Sequence, residues 1–323
     1  MSKRTGHIIR LLLLLVVAAP GRWSPAAADA PPSFLFKWGT FGLAIGEFNG
    51  PRGIATGPGG SVYVTNQGNN CLYAFDAFGT FLTFHPVAEP RGLGVDAAGN
   101  VYVTQTWSHR VERYDASLSS LGSSWGGDGT GDGQFHGPND VAVAPSGAVW
   151  VVDTGNNRVQ RFDASGTFLG KFGVYGQGDG QFDYLSGIAF DAAGNAYIAD
   201  RFNFRVQKFD ANGTFLTKWG GIGSGPGQFG DPAGIAIDAA GNVYVVDSFN
   251  NRVQKFTQDG TYLTEWGTPG DGDGEFDGAD GIAIDQAGRI YVTDAGNSRV
   301  QVFGYGPTAA TRRSWGEVKA RYR

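Results

Sequence analysis

Three histidines and one cysteine are the side chains best suited to metal or nucleophilic chemistry. After residue 28 the chain contains only His85, His109 and His136, at spacings of 24 and 27 residues, and three ligands are enough in number for a water-activating zinc ion. The lone Cys71 has no identifiable His and acid arrangement, so we interpret it as a small packed residue. We find no nucleophile elbow, since GSSWG at residues 122–126 lies in a predicted strand, and no HExxH helix pair or phosphate loop. We therefore assign no catalytic residue and predict no cofactor.

A group of acidic residues near the end of the chain suggests an alternative, a calcium site. Its members are Asp271, Asp273, Glu275, Asp277 and Asp280. The first three occupy alternate positions, as a calcium loop requires. However, the surrounding Gly-rich sequence recurs at Gly178 and Gly227, where it connects other segments. We therefore favour glycine-rich turns, and keep calcium or zinc as a low-ranked alternative.

Aromatic and polar residues that interrupt a repeated pattern are our candidates for ligand binding. They are Trp107, His109, His136, Asp183, Arg201, Phe202, Phe204, Phe249 and Asp277. A residue present in every repeat serves each repeat alike, whereas a single site requires residues that differ. Aromatic loops with an arginine and a few polar groups are typical of surfaces that bind a ligand or partner. The alternative is that these aromatic rings pack against adjacent loops.

The N-terminal segment predicts export. Lys3, Arg4 and Arg10 precede the apolar block 11–19, and small residues at 26–28 provide a signal peptidase site. We expect cleavage after Ala28, which leaves a secreted or periplasmic protein. Nine apolar residues are too few for a membrane span, which needs about 20.

Charge argues against nucleic acid as a partner. Four of the 25 basic residues lie in the leader, so 21 remain against 30 acidic residues, a net charge of −9. Such a chain repels phosphate backbones. The partner is left open among protein, peptide and carbohydrate, and we expect a monomer.

The elements that position these residues come from an internal repeat. Asp153, Asp200, Asp247 and Asp294 recur every 47 residues, each followed five residues later by an arginine, and two looser copies precede them. Each copy reads as four short strands separated by turns, as in GIAID, VYVVD, RVQKF and YLTEW. The sequence therefore predicts an all-β, six-bladed β-propeller of four-stranded antiparallel blades.

The last copy lacks a fourth strand, and the start of the mature chain supplies a match. Residues 34–39 (FLFKWG) resemble residues 215–220 (FLTKWG) at all but one position. We expect this N-terminal strand to complete the last blade and close the ring. Residues 314–316 provide a weaker rival. The predicted organisation is a signal peptide (1–28), a propeller (29–304) and a basic, flexible tail (305–323). Its blades lie near 48–86, 88–126, 133–173, 180–220, 227–267 and 274–304 plus 34–39.

The pattern GQFxxPxGIAxDxxGNVYVxDxxNNRVQxF, as in residues 227–256, resembles the NHL repeat, with six copies over residues 34–304. This resemblance implies a propeller whose function is not fixed by fold, because the family includes both binding modules and enzymes. RNA-binding members carry a basic face and zinc-binding ubiquitin-ligase domains, which this sequence lacks. Peptide-amidating lyases hold zinc through histidines from different blades, and lactonase-type propellers hold a central calcium ion. We favour a binding or protein-interaction scaffold that uses loops on one face. The alternative is a metal-dependent lyase or lactonase at the central mouth, where His136, Asp183 and Asp277 could lie.

Overall fold

The computed structural model describes residues 30–306, and these form six four-stranded antiparallel sheets. Blade 1 contains Pro51–Thr56, Val62–Asn66, Cys71–Phe75 and Phe81–Pro86; blade 2 contains Pro90–Val95, Val101–Gln105, Arg110–Tyr114 and Ser120–Gly126. Blade 3 contains Pro138–Val143, Val149–Asp153, Arg158–Phe162 and Phe168–Phe172; blade 4 contains Leu185–Phe190, Ala196–Asp200, Arg205–Phe209 and Phe215–Gly220. Blade 5 contains Pro232–Ile237, Val243–Asp247, Arg252–Phe256 and Tyr262–Trp266; blade 6 contains Ala279–Ile284, Ile290–Asp294, Arg299–Gly304 and Ser33–Trp38. The predicted all-β, six-bladed propeller is confirmed.

The blades form a ring around a central channel, with the first strand of each blade innermost. Blades 1 and 6 are joined directly, because the Thr293 hydroxyl donates to the Arg52 carbonyl and the Thr56 hydroxyl donates to the Ile284 carbonyl. In blade 6, Ser33–Trp38 pairs antiparallel with Arg299–Gly304. The terminal strand of the described chain is therefore part of a sheet built from its other end.

Burial follows the position of a strand within its blade. The second strand is buried along its whole length in every blade, as in Val243–Asp247, because neighbouring blades cover both of its faces. The fourth strand alternates between half-buried and exposed residues in blades 3, 4 and 6, as in Phe215–Gly220, whereas in blade 5 Thr264 and Trp266 are buried. Its aromatic residues fill the gap between blades at the rim. Trp219, for example, covers Gly260 in the next blade and packs against Phe256.

A repeated arginine fixes the connector that enters blades 3 to 6. In blade 3, Arg158 donates from Nε to Asp153 at 2.7 Å and from its terminal nitrogens to the carbonyls of Thr130, Gly131 and Gln134. The same bonds recur in blade 6, where Arg299 binds the carbonyls of Asp271, Gly272 and Glu275. In this acidic loop the guanidinium binds three carbonyl oxygens, the Asp273 carboxylate pairs with Lys37 at 2.7 Å, and the Glu275 carboxylate accepts the Gly272 N–H at 2.9 Å.

The predicted leader (1–28) and most of the predicted basic tail, including the rival closing segment 314–316, lie outside the described residues. Within residues 30–306, no helix is long and apolar enough to cross a membrane.

Candidate ligand site at the channel mouth

The channel through the ring has a volume of about 500 Å³ and is lined by the six first strands. A small residue from each blade faces it, as expected where six strands converge: Ala55, Gly94, Ala142, Ala189, Ala236 and Ala283. Most of the wall is therefore backbone and small apolar side chains. Polar side chains gather at the end where the first strands begin.

This polar end, the mouth, differs from blade to blade. The second residue of each first strand lines it, and the six equivalent residues are Arg52, Arg91, Asn139, Ser186, Ala233 and Asp280. At the third position of the first strand, five blades have glycine, whereas blade 3 has Asp140. A ring built from repeats thus presents one asymmetric set of charged and polar groups around a single opening.

The two arginines at the mouth come from adjacent blades. Arg52 donates to the Asp280 carboxylate at 3.3 Å and to the Gln67 side chain at 3.3 Å. Arg91 donates from Nε to the Asn139 side-chain oxygen, and its two terminal nitrogens have no hydrogen-bond partner among the described residues. Guanidinium groups with free N–H donors are suited to carboxylate or other oxyanion ligands.

Asp140 provides the titratable group of the mouth. Its carboxyl lines the channel and accepts the amide N–H of Val141 at 2.9 Å and that of Ile188, in the next blade, at 3.0 Å. Because burial within the ring disfavours the charged form, and Asp280 adds repulsion, the pKa of Asp140 is raised from 3.8 to about 7. This carboxyl can therefore give or take a proton near neutral pH.

The mouth does not fit a resident cation. Its oxygen ligands would be Asn139, Asp140 and Asp280. However, the Asn139 oxygen is bonded to Arg91 and the Asp280 carboxylate to Arg52. A metal ion at this place would lie beside two guanidinium groups, which repel it. The residues present favour an anionic ligand over calcium.

Three predicted aromatic residues lie on loops of the mouth face. Trp107, Phe202 and Phe249 occupy equivalent positions after the second strands of blades 2, 4 and 5, and their exposed fractions are 70%, 54% and 78%. These loops reach the first strands at the mouth, as Thr106 does through its hydrogen bond to the Pro138 carbonyl. The structure thus places exposed rings on the same face as the arginines.

The fourth-blade loop is built around Arg201. Its guanidinium donates two hydrogen bonds to Asp231 and lies 5.8 Å from the Tyr184 ring, which stacks on Phe202 at 4.8 Å. Phe204 differs, because it is half-buried against the cluster between blades 4 and 5. Phe204 therefore contributes packing.

Asp183, His136 and Asp277 occupy equivalent positions on the connectors, where each backbone N–H donates to a marker aspartate. None of the three lines the channel, whose wall is formed by the first strands. The other predicted residues likewise lie outside the lining, so the predicted set and the mouth are separate parts of one face.

His109, Asp128 and His136 form the one group of three potential metal ligands within residues 30–306. The imidazoles stack at 5.3 Å, and the bond from His136 to Asp128, 2.9 Å long, holds the pKa of Asp128 below its ordinary value. However, His109 Nδ1 accepts the N–H of Gly137 at 2.9 Å, which places the proton of the neutral ring on Nε2, facing Asp128. A zinc ion on Nε2 would need that proton on Nδ1, so these residues do not fit one.

Sequence reasoning missed the mouth residues other than Asp280, which we named as a possible calcium ligand, although the signal was present. We chose residues that interrupt the repeated pattern as candidates, but we looked for them only in the loops and connectors. The same criterion, applied to the first strands, selects the six residues at the second position and Asp140.

The interpretation of Cys71 as a packed residue agrees with the structure. Cys71 is buried, and burial raises the pKa of its thiol.

Two family models match parts of this chain. The SMP-30/gluconolactonase/LRE-like region matches residues 128–273, and the NHL repeat matches residues 48–75 and 276–303. The matches support the NHL resemblance and add a gluconolactonase-like region. No curated protein matches the sequence significantly.

Solved structures share the fold at low identity. The X-ray structure of a putative gluconolactonase has 18% identity and a TM-score of 0.63, covering 87% of this chain and 95% of that one. A gluconolactonase from Xanthomonas campestris has 18% identity and a TM-score of 0.60, covering 79% and 86%. A streptogramin B lyase has 15% identity and a TM-score of 0.58, covering 83% and 97%. At these identities the likeness shows the propeller fold alone.

Proposed function

We propose that this propeller binds a small, polar, negatively charged ligand at the mouth of its central channel. The observation that carries the proposal is the asymmetry of the mouth: one position, repeated six times, holds two adjacent arginines on one side and Asn139, Ser186 and Asp280 elsewhere. Arg91 contributes free donors, and Asp140 can accept or donate a hydrogen bond. In the predicted scaffold role, the exposed rings of Trp107, Phe202 and Phe249 on the same face contact larger parts of a ligand or a partner.

The charge of the ligand follows from the arginines. An oxyanion would replace water on the terminal nitrogens of Arg91, and such charge-assisted hydrogen bonds contribute about 1.5–3 kcal/mol each. The aliphatic wall below offers apolar surface, so polar specificity is confined to the rim. A neutral apolar ligand would leave these donors unpaired.

The test uses isothermal titration calorimetry to measure the affinity of residues 29–323 for D-gluconate, a polyhydroxylated carboxylate, and for sulfate. We expect Arg91→Gln to weaken binding of either probe about tenfold or more. The matched control is Lys171→Gln, which removes an exposed cation paired with Asp132 on the outer strand of blade 3. Equal affinity in the two variants, or no binding of either probe at millimolar concentration, would reject the proposal.

A second candidate function, hydrolysis of a lactone at the same mouth, is favoured by the pKa of Asp140 and by the gluconolactonase-like match that includes it. Here the Asp140 carboxylate removes a proton from water as the water oxygen bonds to the ring carbonyl carbon. The ring C–O bond then breaks, and the leaving oxygen takes the proton from Asp140, which gives the hydroxy acid. Asp140→Asn would abolish hydrolysis of D-glucono-1,5-lactone above the spontaneous rate while leaving D-gluconate binding measurable. Activity retained in Asp140→Asn would reject this candidate.

We also propose export, on the basis of the leader sequence. Expression of the full chain with its native N-terminus, followed by N-terminal sequencing, is expected to give a mature protein that begins at Asp29. Retention of residues 1–28 in the protein would contradict it.

A further inference from the structure

A hydrogen-bonded network closes the gap between blades on the face opposite the mouth. In blade 4, Asp191 accepts the Asn195 side chain at 2.8 Å and the Tyr197 hydroxyl at 3.1 Å, and Lys208 lies 3.9 Å from the same carboxylate. The Asp, Asn and Tyr of this network recur in blades 2 and 5, and blade 6 replaces the Asn with Arg289. The tyrosine also reaches the following blade, as Tyr197 does at the Gln258 carbonyl.

Blade 3 has lost all three members of the network. Ala144, Ala148 and Trp150 replace the aspartate, the asparagine and the tyrosine. In their place the structure has a pocket of about 240 Å³ between blades 3 and 4. Its walls are mostly apolar, and they include Pro145, Leu169 and the small residues of the blade 4 turns. Blade 1 also lacks the aspartate and the asparagine, with Gly57 and Ser61 in their places, but it keeps Tyr63.

The cation of this blade remains although its carboxylate is gone. Arg161, which also lines the pocket, occupies the place of Lys208. It donates to the Ala211 carbonyl at 3.3 Å and lies 5.6 Å from the Trp150 ring. Within residues 30–306 it has no carboxylate at ion-pair distance, and Ala144 stands where the aspartate would be. The site therefore combines an apolar pocket with an unbalanced positive charge.

We propose that this pocket between blades 3 and 4 binds a small carboxylate with an apolar, ring-sized body, such as an aromatic acid. The carboxylate pairs with Arg161 in place of the missing aspartate, and the body fills the space left where Ala148 replaces the asparagine, beside the Trp150 ring. An apolar cavity of about 150 Å³ is large enough for benzene, so this pocket can admit a benzoate ring. The site lies apart from the mouth, at the opposite ends of the first strands, where Ala144 and Pro145 line both this pocket and the channel.

In the experiment, residues 29–323 are titrated with benzoate while NMR records the amide chemical shifts of Ala193 and Gly194, which line the pocket. We expect saturable shifts with a millimolar dissociation constant and no comparable shifts with benzyl alcohol, which lacks the charge. Arg161→Gln should weaken benzoate binding about tenfold or more. Arg113→Gln is the matched control, because Arg113 has the equivalent position in blade 2, where the network is intact.

A second variant separates loss of binding from loss of folding. Changing Ala144→Asp, Ala148→Asn and Trp150→Tyr together restores the network of blades 2, 4 and 5, which should preserve the fold and abolish the benzoate shifts. Shifts that persist in this triple variant, equal binding of benzyl alcohol, or equal effects of Arg161→Gln and Arg113→Gln would each overturn the proposal. Absence of any benzoate shift in the wild-type protein would overturn it as well.

Discussion

The amide N–H of Ile188 donates to the Asp140 carboxyl at 3.0 Å, so that an ionisable group of blade 3 is held by the first strand of blade 4. The equivalent residue in the other blades is glycine. There, a Cβ would collide with the next first strand: at Gly53 it would lie 2.4 Å from the Arg91 carbonyl oxygen. Asp140 thus occupies a place from which side chains are otherwise excluded, and its backbone partners fix it in the channel wall.

Ionisation of Asp140 should make stability depend on pH. Its folded pKa of about 7 lies above the ordinary 3.8, so between these values the folded protein keeps a proton that the unfolded chain has released. The free energy of unfolding is therefore expected to fall as pH rises from about 4 to about 7. Urea denaturation across this range, in wild type and Asp140→Asn, measures the effect. The variant should lose this part of the slope, while Asp280→Asn, which removes only the smaller repulsive contribution to the pKa of Asp140, should retain most of it; equal slopes in all three proteins would contradict the assignment.

Breaking a connector clamp should destabilise the ring. In blade 4, Arg205 donates to the fully buried Asp200 at 2.7 Å and to three loop carbonyls. Arg205→Ala leaves that carboxylate buried without its cation, and we expect a loss of about 3–5 kcal/mol in urea denaturation. The control is Lys218→Ala, which removes an exposed ion pair with Asp179 in the same blade and should cost at most about 1 kcal/mol. Similar losses in both variants would show that the clamp is not special.

Trp38 of the N-terminal strand should contribute as much to stability as the equivalent aromatic residues of the other fourth strands. Trp38 packs against Phe75 of blade 1 at 5.7 Å and covers Gly79. Trp38→Ala removes this contact between the last and first blades, and we expect a loss of about 3 kcal/mol in thermal or urea unfolding. Trp219→Ala, which removes the corresponding contact between blades 4 and 5, is the comparison. A much smaller loss for Trp38→Ala would mean that the N-terminal strand contributes little to the ring.

The role of His109 can be separated from metal binding. In blades 1, 3 and 5 its position is occupied by Asn70, Asn157 and Asn251, whose side-chain oxygens accept a connector N–H as His109 Nδ1 does. His109→Asn should therefore keep wild-type stability, whereas His109→Ala, which leaves the Gly137 N–H without this acceptor, should cost about 1 kcal/mol. Thermal unfolding with and without added zinc measures both points. A zinc-dependent rise in Tm that His109→Asn removes would instead identify a metal site.

The sequence alone determined the architecture, because the repeat is a local signal. The 47-residue period, the β-branched second strands and the turn residues each act within one blade, and Asp153 with Arg158 shows the clamp even in sequence. The match between residues 34–39 and 215–220 predicted the strand that the structure pairs with Arg299–Gly304. Such features need no knowledge of distant contacts.

Only the tertiary structure decided where the candidate site lies. Arg52, Arg91, Asp140 and Asp280 are scattered over 229 positions, and they share a mouth because ring closure brings the first strands of all six blades to one axis. The pKa of Asp140 likewise depends on its enclosure by neighbouring blades, a property that no single repeat contains. From the sequence, Phe204 was a candidate ligand contact, but in the structure its half-buried ring packs between blades. The local sequence specifies each blade, whereas the environment of a side chain in the channel is set by all six blades together.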